Sequence, residues 1–480
     1  MSPEILIAQL FIKTVLNNKA IGILAFFIIG LFIFAMYSGW ENFETQHEMK
    51  RKYQAQSRKD WLDNPDKHPH RMAHYGNFAF RPKSSLSIFD FGMESFLGNS
   101  IYLEAHKQNS VNFSEAGFST GMLRFGEISI AMILQTLLPL LIFFIGFGSI
   151  SSERENSTLK ILLSQGVSWK QLILGKSYGL IGGTMVLFIP LILTFFIVWI
   201  NMKGTNISLD EILRLLLIII LYSIYLSIFC VITVLISAIS KTSKTALTSL
   251  IGLWLMLTLV LPRVSQTIGK AFFPTPPKAT FEMQIDKDIT KVGDSHNPQD
   301  PYFKALKDSL LAVYQVDSVQ KLPFNYGGYQ MKIGEQISSN IYQKHQQKLM
   351  TIYEQQNSLS KVMAFFNPFM AIKNISMSLS NTDFRSFVDF QEQAEQYRYK
   401  MAQAMNDLQI KFINNKSKSS ADKKQIINKK HWEHLHEFEY KPLNITQVFK
   451  NEFVSIAAFL FWIFVLKYFI NVLSKTLKAI

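Results

Sequence analysis

Six blocks of roughly 20 residues, almost free of charge, limit what this chain can be more than any other feature. They run approximately over Ala20–Trp40, Ile128–Ile150, Tyr178–Ile200, Ile212–Ile239, Thr245–Leu261 and Phe453–Val472. A helix needs about 20 apolar residues to cross a hydrocarbon core, and each block supplies that length or close to it. The fifth is the shortest, and the fourth is long enough to tilt. Tyr37 and Trp40 mark the outer end of the first as interface anchors. Only 18% of the chain is charged, against about 25% in a soluble protein, and the charge is pushed into the stretches between the blocks. The expected fold class is therefore an all-α integral membrane protein with six transmembrane helices.

Charge in the short loops sets the orientation. Arg154, Lys160, Lys170 and Lys176 follow the second block, Lys241 and Lys244 follow the fourth, and Lys467, Lys475 and Lys478 lie at the C-terminal end. Alternating spans put all three groups on one side, which the positive-inside rule makes cytoplasmic. Both termini are then cytoplasmic, and the two long polar stretches lie outside. The net charge of +14 fits basic residues that flank spans and meet anionic lipid headgroups, with no nucleic-acid motif to favour that partner. The single cysteine, Cys230, lies within an apolar block, so no disulfide forms within one chain. The first block is longer than a signal-peptide core and has no small-residue cleavage site after it, so it reads as a retained span.

Ahead of that span, Ser2-Pro3-Glu4 reads as a helix start, and Ile5, Ala8, Ile12, Val15 and Leu16 follow at helical spacing. A helix lying along the cytoplasmic membrane surface is expected, with an N-terminal extension of the first span as the alternative. The domain division is 1–19 interfacial helix, 20–40 first span, 41–126 extracytoplasmic segment, 127–150 second span and 151–177 cytoplasmic segment. It continues with 178–263 third to fifth spans, 264–449 extracytoplasmic helical domain, and 450–480 sixth span and tail. Within the second insertion, Tyr302–Val316, Gln330–Ser358 and Phe387–Asn414 have helical periodicity. Phe387, Phe390, Ala394, Tyr397, Met401, Met405 and Leu408 form one apolar stripe, which reads as a core or helix-pairing face. Phe273–Pro277 reads as a turn, and Lys416–Lys430 as a Lys-rich surface loop.

The segment after the second span reads SSERENSTLKILLSQGVSWKQLILGKS over Ser151–Ser177. Its Glu153-Arg154-Glu155-Asn156-Ser157-Thr158-Leu159-Lys160, with Leu163-Ser164-Gln165-Gly166-Val167-Ser168 and Leu174-Gly175-Lys176, resembles the signature of ABC-2 type permeases. Ser157 stands where that family usually has glycine. Further matches include His70 to His74-Tyr75-Gly76, Phe89-Asp90-Phe91-Gly92, Glu104-Ala105-His106, Arg124-Phe125-Gly126, Asn367-Pro368 and Asn381-Thr382-Asp383. These resemble a subgroup with a large extracytoplasmic domain of unknown function. The resemblance implies a permease subunit of a bacterial ABC transporter in the inner membrane, paired with a second permease chain, identical or different. A separate ATPase subunit would hold ATP-Mg and contact Glu153, Arg154, Glu155, Thr158, Leu159 and Leu163. Export is the commoner direction in the family.

The remaining residues of chemical interest are few. Gly175-Lys176-Ser177 looks like the end of a phosphate-binding loop, but Lys170 occupies the place of its first glycine and no strand precedes it, so no nucleotide is expected on this chain. Gln135 interrupts the second span together with Pro139, and a buried amide must find a partner on another helix, as packing glue or along a path. Gly182 and Gly183 allow close helix approach in the third span. His68, His70 and His74 cluster, as do His431, His434 and His436. Imidazoles so spaced can bind a metal, but packing histidines are the simpler reading, and no catalytic residue or metal ligand is expected. Two rival functions stay open: a mechanical or sensory scaffold that uses ATPase motion without moving cargo, and a His-dependent membrane metalloenzyme.

Overall fold

In hydrocarbon every backbone N–H and C=O must be paired within its own segment, so apolar runs of this length become helices. The computed structural model describes residues 2–94, 96–106, 108, 128–204, 206–415 and 425–478. Among them are six helices long and apolar enough to cross a membrane: Lys19–Leu62, Ile130–Glu155, Trp169–Lys203, Leu209–Ile239, Ser243–Phe272 and Phe453–Thr476. One falls on each apolar block. The third, fourth and fifth start at capping boxes, built by Ser168 with Gln171, Ser208 with Glu211, and Thr242 with Thr245. Each box satisfies orphan N–H groups of a first turn and fixes where the helix begins.

Several helices outrun their apolar blocks. The first continues unbroken past Trp40 to Leu62, a length of roughly 66 Å at 1.5 Å per residue. No Gly or Pro interrupts residues 41–62, so nothing in the sequence stops it. The fifth runs on to Phe272 rather than ending near Leu261. Two spans contain a widened π turn just ahead of a proline: Ile133–Leu137 before Pro139, and Met256–Val260 before Pro262. Proline has no N–H to donate and its ring crowds the preceding turn, so the ladder opens there.

The N-terminal helix Pro3–Leu16 lies against the start of the third span and runs in the same direction. The third span presents glycines to it: a Cβ on Gly175 would meet Ile7, one on Gly179 would meet Ala8 and Phe11, and one on Gly182 would meet Ile12. Gly183 faces Val15. The opposite side of the N-terminal helix leaves Leu6, Leu10 and Leu16 exposed.

The two insertions share their packing. Trp61, Met72 and Ala105 from the first form one core with Met401, Met405 and Trp432 from the second. A second core joins Ile101 and Leu103 to Phe390, Ala394 and Phe438. The stripe on Phe384–Phe412 supplies much of both. Helices Pro301–Val313, Tyr326–Met363 and Phe384–Phe412 stand where periodicity places them. The described residues depart from all-helix structure in one small sheet, an antiparallel pair of Asn77–Phe80 with Ser100–Leu103, and in an isolated bridge between Lys67 and Ile427. Arg124-Phe125-Gly126 and residues 416–424 of the Lys-rich loop lie outside the described residues.

One helix of the second insertion goes elsewhere. Pro368–Leu379 buries Phe369, Met370, Ala371, Ile372 and Ile375 in the same core as Ile218 and Phe229 of the fourth span and Phe459 of the sixth. Asn367 caps its start and also donates to the Leu257 carbonyl in the π turn of the fifth span, at 2.7 Å. At its other end Arg214 donates to the carbonyls of Ser378 and Leu379, at 3.3 and 3.0 Å, and Arg81 to that of Asn381 at 2.8 Å. Guanidinium groups at a helix C-terminus satisfy its last carbonyls and oppose its dipole.

Candidate functional site

The second span loosens into turns over 147–150, its last helical piece is Ser151–Glu155, and a further short helix, Thr158–Ser164, follows before the third span begins at Trp169. The joint between them is Ser157, held at φ +61°, the left-handed region that favours glycine. The first short helix is fixed at its start by Ser237 of the fourth span, whose hydroxyl accepts from Ile150 N and Ser151 N, both at 3.0 Å, and donates to the Phe147 carbonyl at 2.7 Å.

The charged residues that open the motif, Glu153, Arg154 and Glu155, are each engaged inside the chain. Arg154 donates to the Ala238 carbonyl at 2.8 Å and to that of Ser240, where the fourth span ends. Glu153 accepts from Thr158 Oγ1 and from Lys176 Nζ of the third span, the latter at 3.0 Å. Lys176 also lies over the Phe11 ring of the N-terminal helix, 5.2 Å from its centroid. Glu155 accepts from the Ser243 hydroxyl at the head of the fifth span. Leu159 is buried in the membrane-side core and Leu163 packs against it. Of the expected ATPase contacts only Glu155 is exposed; the rest of the outward side is formed by residues outside that set, among them Asn156, Lys160, Ile161 and Ser164, with Ile161 at 56%. Gly175-Lys176-Ser177 lies inside the continuous helix Trp169–Lys203.

A second polar cluster lies deeper among the spans. Gln135 is buried and donates through Nε2 to the Tyr222 hydroxyl of the fourth span at 2.7 Å. Tyr222 in turn is 2.9 Å from Ser376 Oγ of the inserted helix, and Ser376 donates to Asp90 Oδ2. The Gln135 carbonyl, four residues before Pro139, accepts from the Tyr225 hydroxyl at 2.6 Å. Trp254 Nε1 takes the neighbouring Thr136 carbonyl at 2.9 Å. Carbonyls around the π turn are thus paired by side chains of the fourth and fifth spans, as hydrocarbon requires. Gly182 and Gly183 face the N-terminal helix.

The histidines divide. His68 is the N-cap of the helix Pro69–Tyr75 and its ring accepts from His70 N at 3.2 Å. His70 and His74 stand one turn apart on that helix with ring centroids 4.7 Å apart. His106, distant in sequence, joins them at 5.4 and 5.3 Å, and His296 packs edge-on to His106 at 4.9 Å. Glu335 on the long helix Tyr326–Met363 lies 3.0 Å from His106 Nδ1, and Arg398 holds Glu335 at 2.7 Å. Burial and the neighbouring histidines push His70 down to about 4, so its ring is neutral near pH 7. Burial opposes the charge on Glu335, but its bond to His106 and the Arg398 charge hold it down to about 2. Sequence proximity had grouped His68 with His70 and His74; only folding brings in His106 and His296. His431 rests on the Phe412 ring at 4.4 Å.

Residues 98–286 match the family model described as ABC-2 family transporter protein, a range that holds the second to fifth spans and the segments between them. Residues 279–441 match a second one, described as Domain of unknown function (DUF3526). No curated protein matches the chain.

Proposed function

The chain belongs to the ABC-2 transporter family and carries an added domain of unknown function, and from that premise we propose that it is the membrane subunit through which a separate ATPase drives the transporter. Residues 151–164 are the receiving element. One observation carries this reading. The segment is tied to three spans, through Lys176, through Ser237 with the carbonyls of Ala238 and Ser240, and through Ser243, while its Lys160–Ile161 side is left exposed. A push on that side reaches the third, fourth and fifth spans together. Charge-assisted bonds of this kind are the stronger ones, so the segment moves as a block with the spans.

In this reading Glu153, Arg154 and Glu155 transmit motion, Leu159 and Leu163 seat the segment on the core, and the exposed side meets the ATPase. ATP and magnesium belong to that partner. The basic loops put residues 151–177 and both termini in the cytoplasm, with segments 41–126 and 264–449 outside the inner membrane. The apolar outer side of Pro3–Leu16 lies on lipid. A second permease chain completes the pathway, and cargo leaves the cell. A different use of the motion, working the ectodomain without cargo, is favoured by the unbroken helix Lys19–Leu62, whose far end places Trp61 in the ectodomain core. Transport in sealed vesicles separates the two uses.

The test of the shared claim is purification from the native membrane. An ABC ATPase subunit is expected to co-purify, and the chain freed of it is expected to hydrolyse no ATP. Robust turnover by the isolated chain overturns the reading.

A further inference from the structure

The histidine cluster of the ectodomain has the parts of a metal site. His70 and His74 share one side of the helix Pro69–Tyr75, the i and i+4 spacing that brings two imidazoles to one ion. His106 faces them from the turn after the strand Ser100–Leu103. Ligand nitrogens of all three lie within 4.8 Å of one another. Three nitrogens on one tetrahedral zinc ion are about 3.3 Å apart, given bonds of about 2.0–2.1 Å. Rotation about χ2, a broad torsion in histidine, closes that difference, most readily at His74, which is exposed.

Three further observations point to a ligand. His106 Nδ1 faces Glu335 Oε2 at 3.0 Å, and the same oxygen accepts from His106 N at 3.1 Å. A ring that donates through Nδ1 keeps its lone pair on Nε2, the arrangement in which a carboxylate orients a metal-bound histidine. That His106 Nε2 is buried and has no hydrogen-bond partner among the described residues, and the same holds for His70 Nδ1. Buried ring nitrogens are normally paired, and an ion is a partner that both can share. Finally, His106 itself is held at φ +63°, a strained conformation for a residue with a side chain and one that collects at ligand sites.

We propose that His70, His74 and His106 bind one divalent transition-metal ion of the zinc type, His106 through Nε2 and His70 through Nδ1, with Glu335 orienting His106. An all-imidazole donor set suits zinc and its neighbours copper and nickel, and does not suit magnesium or calcium. Three protein ligands leave a fourth position for water or a small donor. The ion would fasten the turn at His106 to the helix Pro69–Tyr75. Through Glu335 and Arg398 it would also brace the two insertions against each other.

The test uses the full-length chain, purified in detergent, stripped with a chelator and titrated with zinc ion alone. One zinc per chain is expected, and cobalt(II) is expected to give the visible bands of a four-coordinate ion. His74→Asn and His106→Asn should each weaken zinc binding by about 100-fold or more, because changes even one shell further out cost 10–100-fold. A His431→Asn, His434→Asn double variant should bind as the parent does. His74 is exposed, so its variant keeps the fold, which the melting of the metal-free forms will verify. Failure of the parent to retain zinc, or undiminished binding in the His74 and His106 variants, overturns the site. Neither outcome bears on the ATPase reading, since the cluster and the 151–164 segment share no residue.

Discussion

Ser157 holds the joint of the 151–164 segment at φ +61°, where a side chain costs about 1–2 kcal/mol and glycine costs little. The family pattern has glycine here, so the serine keeps the kink at the expense of strain. Ser157→Gly is expected to leave the amides of Arg154–Leu159 as protected from hydrogen exchange as in the parent, or more so. Ser157→Val adds a β-branched side chain to the same conformation and should raise their exchange about tenfold, the equivalent of ~1.4 kcal/mol. Equal protection in the valine variant would show that the kink does not hold the segment. At the same scale, Arg154 was legible as important but its partners were not. A guanidinium near the membrane surface can serve a neighbouring subunit or a helix end. The two free carbonyls that decide the matter, Ala238 and Ser240, come from a span remote in sequence.

Among the elements, the N-terminal helix depends on the third span's glycines for its seat. A Cβ on Gly179 would sit 3.0 Å from the Ala8 carbonyl and from Phe11 Cβ. Gly179→Leu is therefore expected to lift the helix off, at about 1–3 kcal/mol. A cysteine placed at Ala8, which is buried in the parent, should then react readily with a maleimide, while Cys230, buried in the fourth span, stays silent. An unreactive cysteine at position 8 in the Gly179→Leu background would contradict this packing. The six long helices were legible because an apolar run of that length has one way to satisfy its backbone in lipid. The continuation of the first helix to Leu62 was not read from the sequence, where the loss of apolar residues after Trp40 set the boundary, although residues 41–62 lack Gly and Pro. The burial of Pro368–Leu379 among the spans was not legible either. That helix is only 12 residues long, too short to span, and its Lys373 and Asn374 make it look like surface. What seats it, Asn367 on Leu257 and Arg214 on its last carbonyls, is visible only once the spans are assembled. The histidine cluster failed to show for the same reason. Pro69 and the loop before it make His70 and His74 read as lying off any regular helix, whereas they stand one turn apart on the helix Pro69–Tyr75, and His106 and Glu335 are recruited by long-range packing that no local spacing encodes.

Across the whole molecule the account is a relay. In the proposed function the exposed side of the 151–164 segment would receive force, and the bonds at Glu153, Arg154, Glu155 and Ser237, which tie that segment to the third, fourth and fifth spans, would pass it on. The receiving side is the claim on which the rest depends, and Ile161, 56% exposed, is its most exposed large apolar residue. An aspartate there leaves the anchors intact and costs nothing in solvent, but it puts an unpaired charge into any contact with the ATPase. The direct measurement is the recovery of the ATPase subunit with Ile161→Asp, compared with the parent at equal membrane levels. Recovery is expected to fall about tenfold or more, which corresponds to ~1.4 kcal/mol or more of lost binding. Undiminished recovery would contradict the assignment of this segment as the place where the ATPase docks.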